Sequence, residues 1–501
     1  INNHTMKKVN IAIAALAMLS ALPAYAAENV DSLPKYRRSS LYTFLVRSAA
    51  QDQKLDDEVQ SSNLVTGLVD SFKKDKADTT ETAGMKRSEV AQLEFLNTPI
   101  PTQFNDHNLD IRILDFDAVT VSEDEIKAAA DAQGEKKKGG AAKFGKAALA
   151  VVAGGNSAQS VIPTDDVDYR MPAVLTKFFA EQKTAPMLVG KWFGYTDGKY
   201  DDQLTLIKER GLQDASEADR SAAAGDKRGD AKLMDAGQEL IDNTFVLAVN
   251  LRYRSNKAII EEAQQAANLV GSAFGTYGQL ASQAAGAIAN ATAGKGFGVQ
   301  AYTYLYKLEW DKDRLDRFYA EYWDKPIEEL VASGICTLKF IGKDKASARV
   351  VASGFSKKPE NEMVKNAVEN AIDRAIVKLQ VKNEVFRTKT QIFQVSDDGK
   401  FVYAQIGTKE GVEKGDEYSI LEAVEEDGKT IYKEIGKVKA VEGAIWNNEA
   451  GAEDLAAELE ADGDKNAAAK LEAINLKATK FEVKKGKDLY PGLFLRLSKK
   501  K

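Results

Sequence analysis

Two segments of alternating side chains constrain this chain most. From Asn243 to Arg254, Phe245, Leu247, Val249, Leu251 and Tyr253 alternate with Val246, Ala248, Asn250, Arg252 and Arg254. A period of two is the repeat of a β-strand, whose successive side chains point to opposite faces. One face is apolar throughout; the other begins apolar and turns basic. Val299–Leu308 predicts a second strand, and the alternation of Tyr302, Tyr304 and Tyr306 favours an antiparallel or mixed sheet. Strands of this kind need helices to cover them. The strongest helix is predicted over Asn361–Gln380, where Val364, Val368, Ala371, Ile372, Ala375, Ile376 and Leu379 form one apolar stripe.

Weaker patterns fill in the rest. Ser39–Arg47 and Ser62–Phe72 read as amphipathic helices, the first with Leu41, Phe44 and Leu45 on one face. Leu109–Asp115 reads as a strand. Ser122, followed by Glu123, Asp124 and Glu125, reads as a helix start. Ala185–Phe193 is predicted as a strand entered after Pro186, while Leu204–Glu209 and Leu233–Ile241 are predicted helical. Asp313–Leu330 is an aromatic-rich helix with a break at Pro326. Ile335–Ile341 and Ala346–Val351 are predicted to pair across Gly342–Lys345. After Glu384 the period shortens. Strands are predicted over Glu384–Val395, Phe401–Ile406, Tyr418–Val424, Thr430–Ile435 and Gly436–Val441, with a turn at Asp397–Lys400. A final strand pair brackets Lys485-Gly486 and includes Leu493–Leu497. Short strands with glycine turns predict a small closed or nearly closed barrel.

The expected architecture is therefore multidomain α/β or α+β, with a helical N-terminal part, a central mixed-sheet domain and a C-terminal small β-barrel. The expected boundaries are 1–26 for upstream residues and a leader, 27–135 for a helical or mixed region, and 136–160 for an Ala/Gly-rich linker or helix. The central domain spans 161–385 with an Ala/Gly-rich insertion at 262–298, and the barrel spans 386–501 with a helical insertion at 450–472. Small residues recur in 141–159 and 262–298 at spacings near three and four. Two readings stay open for them: closely packed helices in a soluble insertion, or a self-associating or membrane-touching segment.

The leader is read from Met6-Lys7-Lys8, the apolar run Ile11–Leu22 and the small-x-small site Ala24-Tyr25-Ala26. These are the parts of a secretory signal peptide. The apolar run is too short to cross a bilayer. Cleavage after Ala26 would take the formal net charge from −6 to −8, since it removes Lys7 and Lys8 and no acid. Mild acidity argues against a nucleic-acid partner. Cys336 is the single cysteine. It cannot close an internal disulfide and is read as a small buried strand residue.

Val402–Leu421, with Ile406-Gly407, Glu410-Gly411-Val412 and Lys414-Gly415-Asp416-Glu417-Tyr418-Ser419-Ile420, resembles the small C-terminal β-domain of flagellar assembly protein T and related exported proteins. In that unit the glycines allow tight turns, and Asp416 is expected to accept local backbone hydrogen bonds. The α/β region ending in the 361–380 helix is loosely similar to the periplasmic domain of curli-secretion-channel-type proteins. The chain lacks their lipid-attachment cysteine, and no matching pair of membrane-crossing hairpins is evident, so no channel is expected. The whole chain resembles exported proteins of Bacteroidota-type bacteria.

Chemical motifs are sparse. Gly140–Ala147 approaches a P-loop but has Ala147 where Ser or Thr would meet Mg²⁺. His107 is the only histidine beyond the leader, which excludes a two-histidine zinc site; it is read as a surface-loop residue. No Gly-x-Ser-x-Gly nucleophile is present. The adjacent acids Asp165/Asp166, Asp201/Asp202 and Asp397/Asp398 read as turn or surface residues, because paired catalytic carboxylates face each other across a cleft. Asp197–Asp202 lacks the spacing and terminal Glu of an EF-hand. The aromatic residues Trp192, Phe193, Tyr195, Trp310, Tyr319 and Trp323 are either core or, if exposed, a contact surface.

These observations lead to the expectation of an exported, non-enzymatic envelope protein, periplasmic or outer-membrane-associated, that works by protein–protein contact without a cofactor or metal. Its partners would be an envelope protein or a second copy, with peripheral membrane contact through 262–298. The alternatives are a glycan or peptidoglycan-binding module and a hydrolase of unfamiliar type.

Overall fold

The computed structural model describes residues 37, 39–53, 55–56, 85–133, 166–214, 239–255, 296–351, 360–426, 429–453 and 467–500. The expected leader, the Ser62–Phe72 helix, the 136–160 segment and residues 262–295 lie outside the described residues. The elements are β1 (Ser40–Arg47), α1 (Arg87–Asn97), β2 (Asn105–Asp106), β3 (Ile113–Asp115), α2 (Glu123–Ala132), α3 (Asp166–Glu181), α4 (Thr184–Trp192), α5 (Thr205–Asp214), β4 (Thr244–Ser255), β5 (Gly296–Glu309), α6 (Lys312–Arg317), α7 (Ile327–Ser333), β6 (Thr337–Val351) and α8 (Glu360–Lys382). Then come β7 (Thr390–Val395), β8 (Phe401–Ala404), β9 (Glu417–Glu426), β10 (Lys429–Ala440), α9 (Ala467–Asn475), β11 (Thr479–Lys485) and β12 (Phe494–Lys499).

β1 to β6 form a mixed sheet in the order β2-β1-β4-β5-β6, with β3 also paired to β1. β1 runs parallel to β4, and β4, β5 and β6 are antiparallel. The alternation of β4 is satisfied on both faces. Phe245, Leu247, Val249, Leu251 and Tyr253 pack with the apolar stripe of α8 and with Val90, Ala91 and Phe95 of α1. Val246 and Ala248 pack with Met171, Val174, Leu175 and Phe178 of α3. Each fully buried aliphatic or aromatic side chain here contributes about 1.5–3 kcal/mol.

Where the second face turns basic, a fixed network receives it. The guanidinium of Arg252 bonds Asp168 at 2.6 Å, donates to Asn250 at 3.0 Å and lies 3.6 Å from the centre of the Tyr302 ring. Asn250 donates to the Val46 carbonyl, and the Tyr304 hydroxyl donates to Asp168.

Several sequence expectations are corrected. Ser40–Arg47 is a strand, not an amphipathic helix: nearly every side chain is buried, as in an interior strand with a parallel neighbour. It also brings residues expected in a separate N-terminal region into the central sheet. Thr184–Trp192 is a helix, not a strand. Pro186 sits in its first turn, where a missing N–H costs nothing, and Ala185, Leu188, Val189 and Trp192 share one helical face. The expected hairpin at Gly342–Lys345 is instead continuous β6, with a bulge at Ile341 between the Leu305–Gly342 and Tyr306–Phe340 pairs.

The aromatic helix does break before Pro326, after a π-helical stretch at Phe318–Tyr322. The Ser122 start is a capping box, with Ser122 accepting from Glu125 and Glu125 from Ser122.

β7 to β12 form a closed barrel in the order β10-β11-β8-β7-β12-β9. Ile392, Val402, Ala404, Ile420, Val438, Phe481 and Leu495 are among the side chains that fill it. Two details differ from expectation. Glu384–Phe386 is a 3₁₀ turn rather than strand, because Phe386 turns back to bury itself against Phe104 and Phe245 of the central core. The final two strands do not pair with each other: β11 lies between β10 and β8, and β12 between β9 and β7. No described helix is long and apolar enough to cross a membrane.

Candidate functional site

A dense set of ionisable and polar contacts lies where α8 meets the barrel. Opposite its apolar stripe, α8 carries a second row at helical spacing: Asn366, Glu369, Asn370, Asp373 and Val377. Two barrel segments, residues 405–412 and 446–451, seat on this row. They are first tied to each other. Thr408 donates through its backbone to the Trp446 carbonyl, and Lys409 through its backbone to the Asn448 side chain. Glu410 accepts from the Gly407 backbone at 2.7 Å and from the Asn448 amide at 2.9 Å.

The seat is close. Asn370 makes a two-way pair with Ala450, donating to its carbonyl at 3.0 Å and accepting from its N–H at 3.1 Å. Arg374 reaches Glu449 at 3.1 Å and the Ser347 carbonyl of β6 at 3.2 Å. Gly411 has φ +73°, and a Cβ there would stand 2.4 Å from Val377 Cγ1. At the connection, Arg387 donates to the Gln380 and Val381 carbonyls at the end of α8, where a cation complements the helix dipole.

At the centre stands Lys409. Its ammonium is 2.7 Å from Glu369 and 3.5 Å from Asp373. Asp373 is buried, and its Oδ2 lacks a hydrogen-bond partner. Burial, reinforced by Glu369 and Glu410 and opposed by Lys409, pushes its carboxyl up to about 7. Lys409 feels burial pulling its value down, yet Asp373 and Glu369 hold it above the ordinary range. A neighbouring cavity of about 40 Å³ is lined by Gln380, Arg387, Thr390, Glu410, Tyr418 and Leu497. It has room for a few waters.

The residues singled out in the sequence fall elsewhere. His107 is fully buried, not a surface-loop residue. Its Nε2 bonds the Leu188 carbonyl at 3.0 Å, its Nδ1 faces the Arg210 guanidinium at 2.9 Å, and its ring stacks on Trp192 at 4.6 Å. Arg210 is a permanent donor, so His107 is neutral, with its proton on Nε2. Burial, followed by Arg210 and Lys191, holds the imidazole well below its usual value, against the Leu188 carbonyl. Both nitrogens are engaged, which leaves neither for proton transfer.

Trp192, Phe193 and Trp310 are core residues and offer no contact surface. Tyr195 and Trp323 are partly buried, with Tyr195 accepting from the Ile327 N–H, while Tyr319 is exposed beside Trp323 at 5.0 Å between ring centres. Cys336 is buried just before β6, and burial pushes its thiol up to about 12. Asp201 caps α5 by accepting from the Gln203 and Thr205 N–H groups, and Asp398 closes the β7–β8 turn. Asp416 accepts from the Glu413 N–H, as expected, and also binds Lys500 at 2.8 Å. Among the described residues no group of His, Cys, Asp and Glu could hold a metal ion.

The α8–barrel junction is not legible in the sequence. Its only local trace is the polar row on α8, which looks the same as a solvated helix face. No family model matches this chain, and no curated protein matches it in sequence.

Proposed function

We propose that this chain is an exported, envelope-associated structural or assembly protein that acts through protein–protein contacts and not as an enzyme. The observation that carries this reading is the α8–barrel junction. Its charged and amide side chains are spent on seating the barrel against α8 rather than on holding a substrate. His107, Arg252 and Asp416 are likewise spent on holding elements together. The leader-like pattern at Met6–Ala26 and the likeness of Val402–Leu421 to the β-domain of flagellar assembly protein T support the envelope setting.

The test is affinity capture with crosslinking from the native envelope fraction. The expected result is a chain beginning at Ala27, recovered with a crosslinked envelope protein. A full-length chain recovered from the cytoplasm without a crosslinked partner would refute the reading.

We also propose that the Ala/Gly-rich segment mediates self-association or lipid contact. Deleting 262–294, which stops short of β5, is expected to abolish concentration-dependent association in size-exclusion chromatography or flotation with liposomes. Identical behaviour of deletion and parent would end that idea. A glycan-binding reading is favoured by one observation, the exposed Tyr319 ring beside Trp323. Retention of the protein on peptidoglycan sacculi, lost in Tyr319→Ala, would establish it.

A further inference from the structure

We propose that the junction between α8 and the barrel is an acid-stabilised latch, in which three carboxylates gathered around one lysine make closure depend on a bound proton. Glu369 and Asp373 come from α8; Lys409 and Glu410 come from the barrel. Three acids and one ammonium leave an excess of negative charge where water reaches poorly. Of the other described charges of α8, Lys365 pairs with Glu94, Lys378 with the Lys345 carbonyl and Lys382 with Asp344, while Arg374 reaches Glu449 across the junction itself. On the barrel side, Lys500 is held by Asp416 and Glu413. The relief available is a proton on Asp373, whose buried Oδ2 makes no well-formed hydrogen bond and has the Lys409 ammonium 3.5 Å away.

The sign follows from linkage. With the junction open, Asp373 meets water and returns toward its ordinary value of 3.8; with it closed, the value is about 7. The closed state holds the proton more tightly. Closure is therefore most favoured at and below the ordinary carboxyl range, and is progressively lost as pH rises toward the closed-state value. Between those two values the closing equilibrium falls up to tenfold per pH unit. The Phe386 anchor and the Arg387 cap hold the connection itself, so opening lifts residues 405–412 and 446–451 from α8 without releasing the barrel.

Hydrogen exchange of the full chain tests this, read on peptides covering 405–416 and 446–452 and corrected for the intrinsic effect of pH. Between about pH 5.5 and about pH 8.5 the opening equilibrium is expected to rise at least tenfold. In Asp373→Asn it is expected to be the same at both values, because the neutral amide needs no proton. In Glu369→Gln, which removes a different charge from the cluster, the midpoint is expected at lower pH. A flat response in the parent, a parent-like response in Asp373→Asn or an unmoved midpoint in Glu369→Gln would each overturn the proposal.

Discussion

Trp192→Ala is expected to lower the unfolding free energy of the central domain by about 3–5 kcal/mol, the range for removing a buried tryptophan. The ring is completely buried within the cluster that includes Val189, Leu240, Ile241 and Leu308. It is also a joint between elements. Its Nε1 donates to the Thr244 hydroxyl at the start of β4 at 2.8 Å, and its face carries His107 on one contact and the Arg210 guanidinium, 4.5 Å away, on another. Truncation opens a cavity beside the half-buried Arg210 guanidinium, which loses its ring, so the upper part of the range is expected.

Chemical unfolding followed by the emission of the remaining tryptophans measures the loss. A loss below about 1 kcal/mol, the size of a surface substitution, would contradict the packing described. The same variant changes the acid limb of stability. In the parent, folding depresses the pKa of His107 below its ordinary 6.5, so the unfolded chain takes up a proton that the native state refuses. That contribution is present above the ordinary value and shrinks as pH falls below it. With the ring gone, water reaches the imidazole and the acid slope is expected to flatten.

Gly411→Val is expected to lift the barrel loop from α8 and to destabilise the barrel by about 2–4 kcal/mol. Two effects combine. The backbone is left-handed, with φ +73°, a conformation that a β-branched residue adopts only under strain. The new Cβ would also stand 2.4 Å from Val377 Cγ1. Val377 cannot retreat, because the opposite face of its helix is buried in the sheet core. The loop must move instead, which breaks the Lys409–Glu369 and Asn370–Ala450 contacts.

Gly443→Val separates the two effects. Gly443 has φ +74° with nothing within 4 Å of its Cβ position, so it carries the strain without the collision. It is expected to cost about 1–2 kcal/mol. Limited proteolysis within 405–416 should be enhanced in the Gly411 variant alone. Equal losses and equal cleavage in both variants would show that Gly411 matters only as a turn.

The elements that were legible in the sequence are those with long, regular repeats. The alternation of β4, the stripe of α8 and the glycine-punctuated strands of the barrel each extend far enough for one period to win. The local patterns of Ser39–Arg47 and Ala185–Phe193 mislead because both are short apolar runs, in which a buried strand and a buried helix turn carry the same residues. In β1 nearly all side chains are buried, so no polar face marks the period. In α4 the proline suggested extended backbone, although the first turn of a helix accepts it equally well. The hairpin expected at Gly342 had the right turn residues. They serve instead a close approach to Asn383, whose side-chain atoms would stand 3.2 Å from a Cβ at that position.

Sites were less legible than elements. His107 lies in a polar stretch and reads as surface, yet its partners Leu188 and Arg210 are 81 and 103 residues away in the chain. Gly411 reads as a turn glycine and is one, but the methyl it excludes is that of a helix 34 positions earlier by residue number.

The sequence by itself determined the secondary structure of the periodic segments, the presence of a sheet domain followed by a small barrel, and the scarcity of catalytic and metal-binding residue types. Each of these follows from local repeats or from composition, where a side chain needs only its neighbours and water. Tertiary structure alone decided which strands pair, that Trp192 and His107 belong inside, and that Asp373, Glu369 and Lys409 meet. Those outcomes depend on steric fit and on charge brought together across long stretches of chain. The free energy of a buried carboxylate is set by what faces it, and no window of sequence contains that.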